Sequence, residues 1–316
     1  MTKALRSYGP FLIAFAALLW AVDGILRRSL FSLPPITIVF YEHLIGALLI
    51  LPFFFVAWKK QARSLTKSEW IVMVVVALLS GVLGTLFFTA ALVRVGFISF
   101  SVVFLLQKLQ PIFAIATAAI LLKERVTLRY GVWAVVAFVA AYFVTFPAGM
   151  VNFGETGVIA AALLAGAAAF AWGSSTAFSR YALIDHSHTV ITGLRFFITV
   201  PLAFVGVLLL GQFSSLSGVE PGQFGRLFII ALSTGMVALW IYYRGLKVTQ
   251  AKVSTIVELI FPFTAVFIDI FLYDTVLHWS QYAAAAVLML AIYQVSRLNQ
   301  EKGTAGLPET GASDTL

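Results

Sequence analysis

Residues 101–123, SVVFLLQKLQPIFAIATAAILLK, are long enough to cross a bilayer yet carry Gln107, Lys108, Gln110 and Pro111 at their middle. A lysine at mid-membrane costs about 2.5–3.5 kcal/mol on insertion scales, so it is expected to face a partner or a water-filled cavity. The proline removes a backbone donor and frees a carbonyl one turn earlier, where solute or water can bind. Residues 252–273, KVSTIVELIFPFTAVFIDIFLY, are a companion, with Glu258 and Pro262 at the places of Gln107 and Pro111. Lys108 has two readings. Either it forms a structural ion pair, with Glu42 as first choice and Glu258 as the alternative, or it binds a substrate carboxylate while Glu258 or Glu42 takes an ammonium or a proton.

Two stripes repeat the theme. Trp20, Asp23, Gly24 and Arg27 fall at i, i+3, i+4 and i+7, one face of a helix, and Trp172, Ser175, Thr176 and Ser179 have the same spacing. They are expected to line a central cavity, the plainer alternative being interfacial tryptophans and hydroxyls that bond neighbouring helices. Glu42, His43, Arg195 and Asp269 are further polar residues inside apolar runs, and Thr192, Arg195 and Thr199 share a face that should look inward. His43 is either a titrating group or a hydrogen-bonded packing residue. Setting Asp23, Glu42, Glu258 and Asp269 against Lys108 and Arg195 leaves an excess of acid, which favours coupling to protons or a cationic solute, although Asp23 and Asp269 could lie near the water interface. Trp240, Tyr243, Arg244 and Lys247 share another face, either an aromatic belt with cytoplasmic anchors or a stacking wall for a flat solute. The expected substrate-binding set is Trp20, Trp172, Gln107, Lys108, Glu258, Ser175 and Tyr243; the coupling or ion-pair set is Glu42, His43, Arg195 and Asp23.

The elements that must position these residues are membrane helices. Of the 316 residues 61% are hydrophobic and 11% charged, and the mean hydropathy is +1.00, far from a soluble domain. Ten spans are expected, at 10–30, 35–58, 69–93, 99–122, 128–146, 157–182, 189–210, 224–243, 252–273 and 279–298. Placing both termini on one side gathers Lys3, Arg6, Lys59, Lys60, Arg63, Lys67, Lys123, Arg125, Arg129 and most later cations there, against Arg27, Arg28, Arg94 and Arg226 opposite. Both termini are therefore expected in the cytoplasm of a cell with the chain in its inner or plasma membrane. The net charge of +8 is read as this loop bias rather than as a nucleic-acid footprint.

The halves repeat. Trp20 and Arg28 match Trp172 and Arg180, His43 matches Arg195, Gly81 and Leu92 match Gly235 and Leu246, and Pro111 matches Pro262. Five helices per unit force the second copy to enter from the opposite side, an inverted repeat that suits alternating access around a midplane site. The expected units are 10–146 and 157–298, followed by a disordered cytoplasmic tail, 299–316, whose Leu307-Pro-Glu-Thr-Gly311 is similar to a sortase signal but lacks the apolar span that should follow. An apolar span, a Lys/Arg link, polar-x-x-x-Pro, another apolar run and then Leu121-Leu122-Lys123-Glu124-Arg125 resemble the EamA-type transporters of the drug/metabolite transporter superfamily. The resemblance covers about residues 10 to 298, and the second copy departs from it with Asp274-Thr275 in place of Glu124-Arg125. It implies an all-α integral membrane fold of ten helices in two inverted five-helix repeats, and export of a small organic metabolite, with amino acids, aromatic ones included, as the expected class.

Other functions fit less well. Without cysteine there is no thiol chemistry and no cysteine metal site, and His186 and His188 lack further ligands nearby. Asp23 and Asp269 could pair in an intramembrane enzyme, but the chain has no His-Glu-x-x-His, no Gly-x-Ser-x-Gly and no Walker loop. A channel is disfavoured because broken helices in inverted repeats serve alternation better than a fixed pore. No enzyme activity, cofactor, metal or nucleic-acid partner is expected. The expected partners are a small-molecule substrate and membrane lipid, with monomer and homodimer both open, and cationic drugs or nucleoside-like solutes as alternative cargo.

Overall fold

Ten apolar helical rods follow one another in the computed structural model, which describes residues 3–60, 64–94, 100–122, 127–150, 156–183, 186–246, 257 and 260–304. They are α1 (Lys3–Arg28), α2 (Pro35–Lys59), α3 (Lys67–Leu92), α4a (Phe100–Gln107) with α4b (Gln110–Leu122), α5 (Leu128–Thr145), α6 (Thr156–Leu183), α7 (His188–Leu209), α8 (Pro221–Ile230 continuing to Met236–Leu246), α9 (Ile260–Leu272) and α10 (Trp279–Thr304). Among the described residues eight helices are long and apolar enough to cross a membrane, and Ile260–Leu272 is a shorter apolar one. Residues 305–316, with the Leu307–Gly311 motif, lie outside the described residues.

Local chemistry starts and breaks the rods where the sequence suggests. Thr66 and Glu69 form a capping box at the head of α3, Thr127 accepts from the Tyr130 N–H at the head of α5, and Ser187 accepts from the Thr189 N–H before α7. Pro111 divides α4. The chain tightens there through Lys108 N–H to Leu105 O (3.0 Å), Leu109 N–H to Leu106 O (3.1 Å) and Ile112 N–H to Leu109 O (3.0 Å). Tyr130 of α5 then donates to Ile112 O at 2.6 Å, so a carbonyl beside the break is satisfied from the neighbouring helix.

One departure from regular helix is shared by both halves. α3 is π-helical over Ala77–Gly84, and α8 is π-helical over Ala231–Gly235, around the matched glycines Gly81 and Gly235. In α3 the glycines admit close neighbours: a Cβ on Gly81 would lie 2.1 Å from Thr199 Oγ1, and one on Gly84 would lie 2.4 Å from the Trp172 ring. A bulge of this kind re-aims backbone carbonyls, and it tends to occur at functional positions.

Packing follows a pseudo-twofold scheme. α1 lies against α8 and α9 of the other half, and α6 lies against α3 and α4 of the first; α2 pairs with α7, and α5 with α10. The result is an all-α membrane fold in two inverted repeats. The largest apolar cluster fills the space between α4, α5, α6 and α10, around Val103, Ala137, Ala165 and Leu288. α4a is wedged between halves: Phe100 and Phe104 press on Gly24 of α1, where an added Cβ would meet the Phe100 ring at 2.2 Å.

This contact yields a stability prediction. Gly24→Ala should cost about 1–3 kcal/mol by overpacking. Gly166→Ala in α6, where nothing lies within 4 Å of the new methyl, should be neutral or stabilise by about 0.5–1 kcal/mol. Thermal unfolding in detergent separates the two, and equal melting temperatures would contradict the close packing.

Candidate transport site

The polar residues inside the bundle sort into three groups. The first is an ionic knot near the end of the bundle where α1 finishes. Arg27 is 3% exposed; its Nε donates to Asp23 Oδ2, its Nη2 to Glu42 Oε2 at 2.8 Å and its Nη1 to Thr89 Oγ1 at 3.2 Å. Thr234, within the π-helical stretch of α8, donates to the other Asp23 oxygen. One guanidinium thus joins α1, α2 and α3, and Asp23 carries the tie on to α8. A planar fork with several N–H donors suits this bridging role, which a lysine could not reproduce.

Two sequence expectations are corrected by this geometry. Glu42 is paired with Arg27 rather than with Lys108, because α1 brings the Arg27 guanidinium to Glu42 of α2. Asp23 and Asp269 are 5% and 1% exposed, enclosed by neighbouring helices close to the ends of α1 and α9. The apparent excess of buried acid falls away: Arg27 answers two carboxylates, and Asp269 of α9 caps α4a by accepting from the Phe100 N–H (3.1 Å) and the Ser101 N–H (2.6 Å). Asp23 and Asp269 therefore have separate partners and form no acid pair. A carboxylate reaching across halves to the N-terminus of a broken helix satisfies orphan donors and complements the helix dipole.

The second group is aromatic. Trp172 donates from Nε1 to Ser80 O in the π-helical stretch of α3 at 3.0 Å. Its ring lies 5.3 Å from Phe88, which lies 5.6 Å from Phe104, which lies 4.7 Å from Phe261 of α9. Half-buried Lys108 holds its Nζ 4.8 Å over the Phe261 ring, in cation–π contact. The Trp20 ring lies 5.0 Å from that of Tyr242 of α8, tilted by 53°, so each matched tryptophan meets the other half. Gln107 is fully buried, with Nε2 on Ala165 O of α6 at 2.9 Å and Oε1 accepting from Gln110 at 3.4 Å. Ser175 is buried. Trp240 carries Arg244 at 5.6 Å; Glu258, Lys247 and the Tyr243 side chain lie outside the described residues.

The third group lies between α2 and α7. His43 Nδ1 is 2.9 Å from Val39 O; the carbonyl can only accept, so Nδ1 carries the proton and Nε2 of the neutral ring is an acceptor. The ring lies against Phe196 at 5.3 Å, within electrostatic reach of both Arg27 and Arg195. Arg195 is half-buried, and its Nε has no hydrogen-bond partner. At the opposite end of the bundle from the ionic knot, His186 Nε2 lies 3.3 Å from Glu69 Oε1, joining the head of α3 to the link before α7. Among the described residues no group of three or more histidines or acids assembles for a metal.

Sequence reasoning missed Arg27 as the centre of the polar network. The signal was available in the i, i+4 spacing of Asp23 and Arg27. The geometry predicts that Arg27→Gln, which strands two buried acids, destabilises the protein by about 3–5 kcal/mol. Adding Asp23→Asn and Glu42→Gln should recover much of the loss. A triple variant no more stable than Arg27→Gln in thermal unfolding would show that the charges are not coupled.

The EamA-like transporter family model matches the chain twice, over residues 7–146 and 159–297. The riboflavin transporter ImpX of Fusobacterium nucleatum subsp. nucleatum is 37% identical over 293 residues, which span 92% of this chain and 98% of that protein. A protein of known crystal structure, 18% identical, superposes with a TM-score of 0.62 over 94% of this chain and 99% of its own, a likeness of fold. The chain belongs to the EamA-like transporter family of the drug/metabolite transporter superfamily, and it is a multi-pass membrane transporter rather than an enzyme.

Proposed function

We propose that the protein carries riboflavin, or a closely similar flat heteroaromatic solute, by alternating access of its two halves around a midplane cavity. The observation that carries the substrate is the 37% identity to a riboflavin transporter over 98% of that protein's length. Amino-acid export, the sequence expectation, rests on the breadth of the family alone, so riboflavin takes its place. The aromatic wall is chemically apt: an isoalloxazine ring is large and flat, and indole and phenyl faces bury such a ring with little loss of side-chain freedom.

In this reading Trp20, Trp172, Lys108 and Glu258 wall the cavity, with Gln107, Ser175 and Tyr243 contributing through their helices. Lys108 sits beside the break in α4, where a small rotation of α4a against α4b would move it relative to Phe261. The Asp23–Arg27–Glu42 knot then holds one end shut, and its contact with Thr234 must part or shift when that end opens. The Lys/Arg distribution supports an inner or plasma membrane location with both termini cytoplasmic. Both halves of the path come from one chain, so a monomer suffices and a homodimer is compatible.

The purified protein in liposomes should take up labelled riboflavin saturably and show counterflow when preloaded with unlabelled riboflavin. Lys108→Ala and Glu258→Gln should each lower that transport at least about tenfold, the loss of a single ~1.4 kcal/mol contact, with normal yields of folded protein. Counterflow with amino acids but none with riboflavin would restore the earlier expectation. Normal transport by both variants would remove the site assignment.

A further inference from the structure

Arg195 and Thr192 lie one turn apart on α7, on the face they share with buried Thr199 and away from the exposed Pro201, Val205 and Leu208. Both carry unanswered polar atoms. Thr192 is 1% exposed and its hydroxyl has no partner; Arg195 Nε is sealed from solvent and also has none. The threonine is unusual within this chain. Thr145, Thr176, Thr199 and Thr264 all donate to the carbonyl four residues back, the ordinary way a helical hydroxyl is satisfied in an apolar setting. Thr192 does not.

No described acid answers the guanidinium either. Asp23 and Glu42 are engaged by Arg27, Asp269 caps α4a, and Glu69 faces Thr66 and His186. The neighbouring titratable ring, His43, presents no negative charge. Buried donors left unmade are rare in folded proteins and call for a ligand or water. An arginine inside a membrane helix is by default a functional group.

We propose that Arg195 and Thr192 form the subsite for the imide edge of the solute, where an N–H lies between two ring carbonyls. This deepens the riboflavin reading and rests on it. The isoalloxazine ring has such an edge: Arg195 donates to one ring carbonyl oxygen, and the Thr192 hydroxyl accepts from the imide N–H and donates to the other ring carbonyl. The aromatic wall supplies area and tolerates any flat ring, whereas this pair supplies orientation. It discriminates against solutes that lack the edge, because binding them would leave both groups unpaired.

Riboflavin fluorescence titrations of the purified protein test the assignment, with 3-methylriboflavin, whose imide proton is replaced, as the second probe. The wild-type protein should bind the methylated compound about tenfold more weakly than riboflavin. Thr192→Val, close in shape, should bind riboflavin about tenfold more weakly than wild type and no longer distinguish the two probes. Arg195→Gln should lose roughly 10- to 100-fold for both, and Arg195→Lys should recover part of it. Size-exclusion profiles and melting temperatures report folding, and Thr192→Val keeps the test intact should Arg195→Gln not fold. Riboflavin binding by wild type with unchanged affinity in the folded variants overturns the subsite and leaves the substrate standing. Absence of riboflavin binding by wild type removes the substrate, and this subsite with it.

Discussion

Burying a charge in a membrane protein is costly unless it is paired, and here the pairing of Arg27 decides how four helices meet. Its guanidinium holds Asp23 of its own helix, Glu42 of α2 and Thr89 of α3, while Asp23 takes Thr234 of α8. In a low-dielectric interior such a set is stable only when every member is satisfied, so the helices that carry it are fixed relative to one another. α1 then offers Gly24 to Phe100 and Phe104, and α4a becomes seated between the halves. Asp269 completes the seat by capping the first backbone amides of α4a.

The second half repeats the frame but carries no charge at the places of Asp23 and Arg27. Ser175 and Ser179 stand on α6 where Asp23 and Arg27 stand on α1, and all four are buried. The π-helical stretches recur at matched places and make matched contacts across the halves: Ser80 O receives Trp172, and Thr234 reaches Asp23. In the proposed alternating access, the Asp23–Arg27–Glu42 ties would have to loosen for their end to open, whereas Ser175 and Ser179 impose no such ionic tie.

Much of this was legible in the sequence, and the reasons differ by element. The spans could be read because a run of apolar residues must satisfy its backbone internally, and the break in α4 because Pro111 cannot donate. The repeat could be read from Trp20 with Trp172 and from Pro111 with Pro262. The polar partners could not be read, since each lies on a helix distant in sequence. Spacing alone offers Glu42 to Lys108 as one of two acids, and it puts Arg27 on the helix face of Asp23 without showing that Glu42 of α2 meets it there. Asp269 resembled a candidate catalytic acid, and only the arrival of the α4a N-terminus from the other half explains its burial. Thr192 looked like any helical threonine until its neighbours were seen to bond backward and it was not.

The absence of cysteine offers a direct measurement of whether the ionic end must open. Ser32, after α1, and Gln223, at the head of α8, touch at 2.9 Å on that end and belong to opposite halves. Cysteines at both positions, joined by a short reducible cross-link in liposomes, should abolish riboflavin counterflow, and reduction should restore it. A fully cross-linked protein that transports at the wild-type rate would contradict alternation at this end.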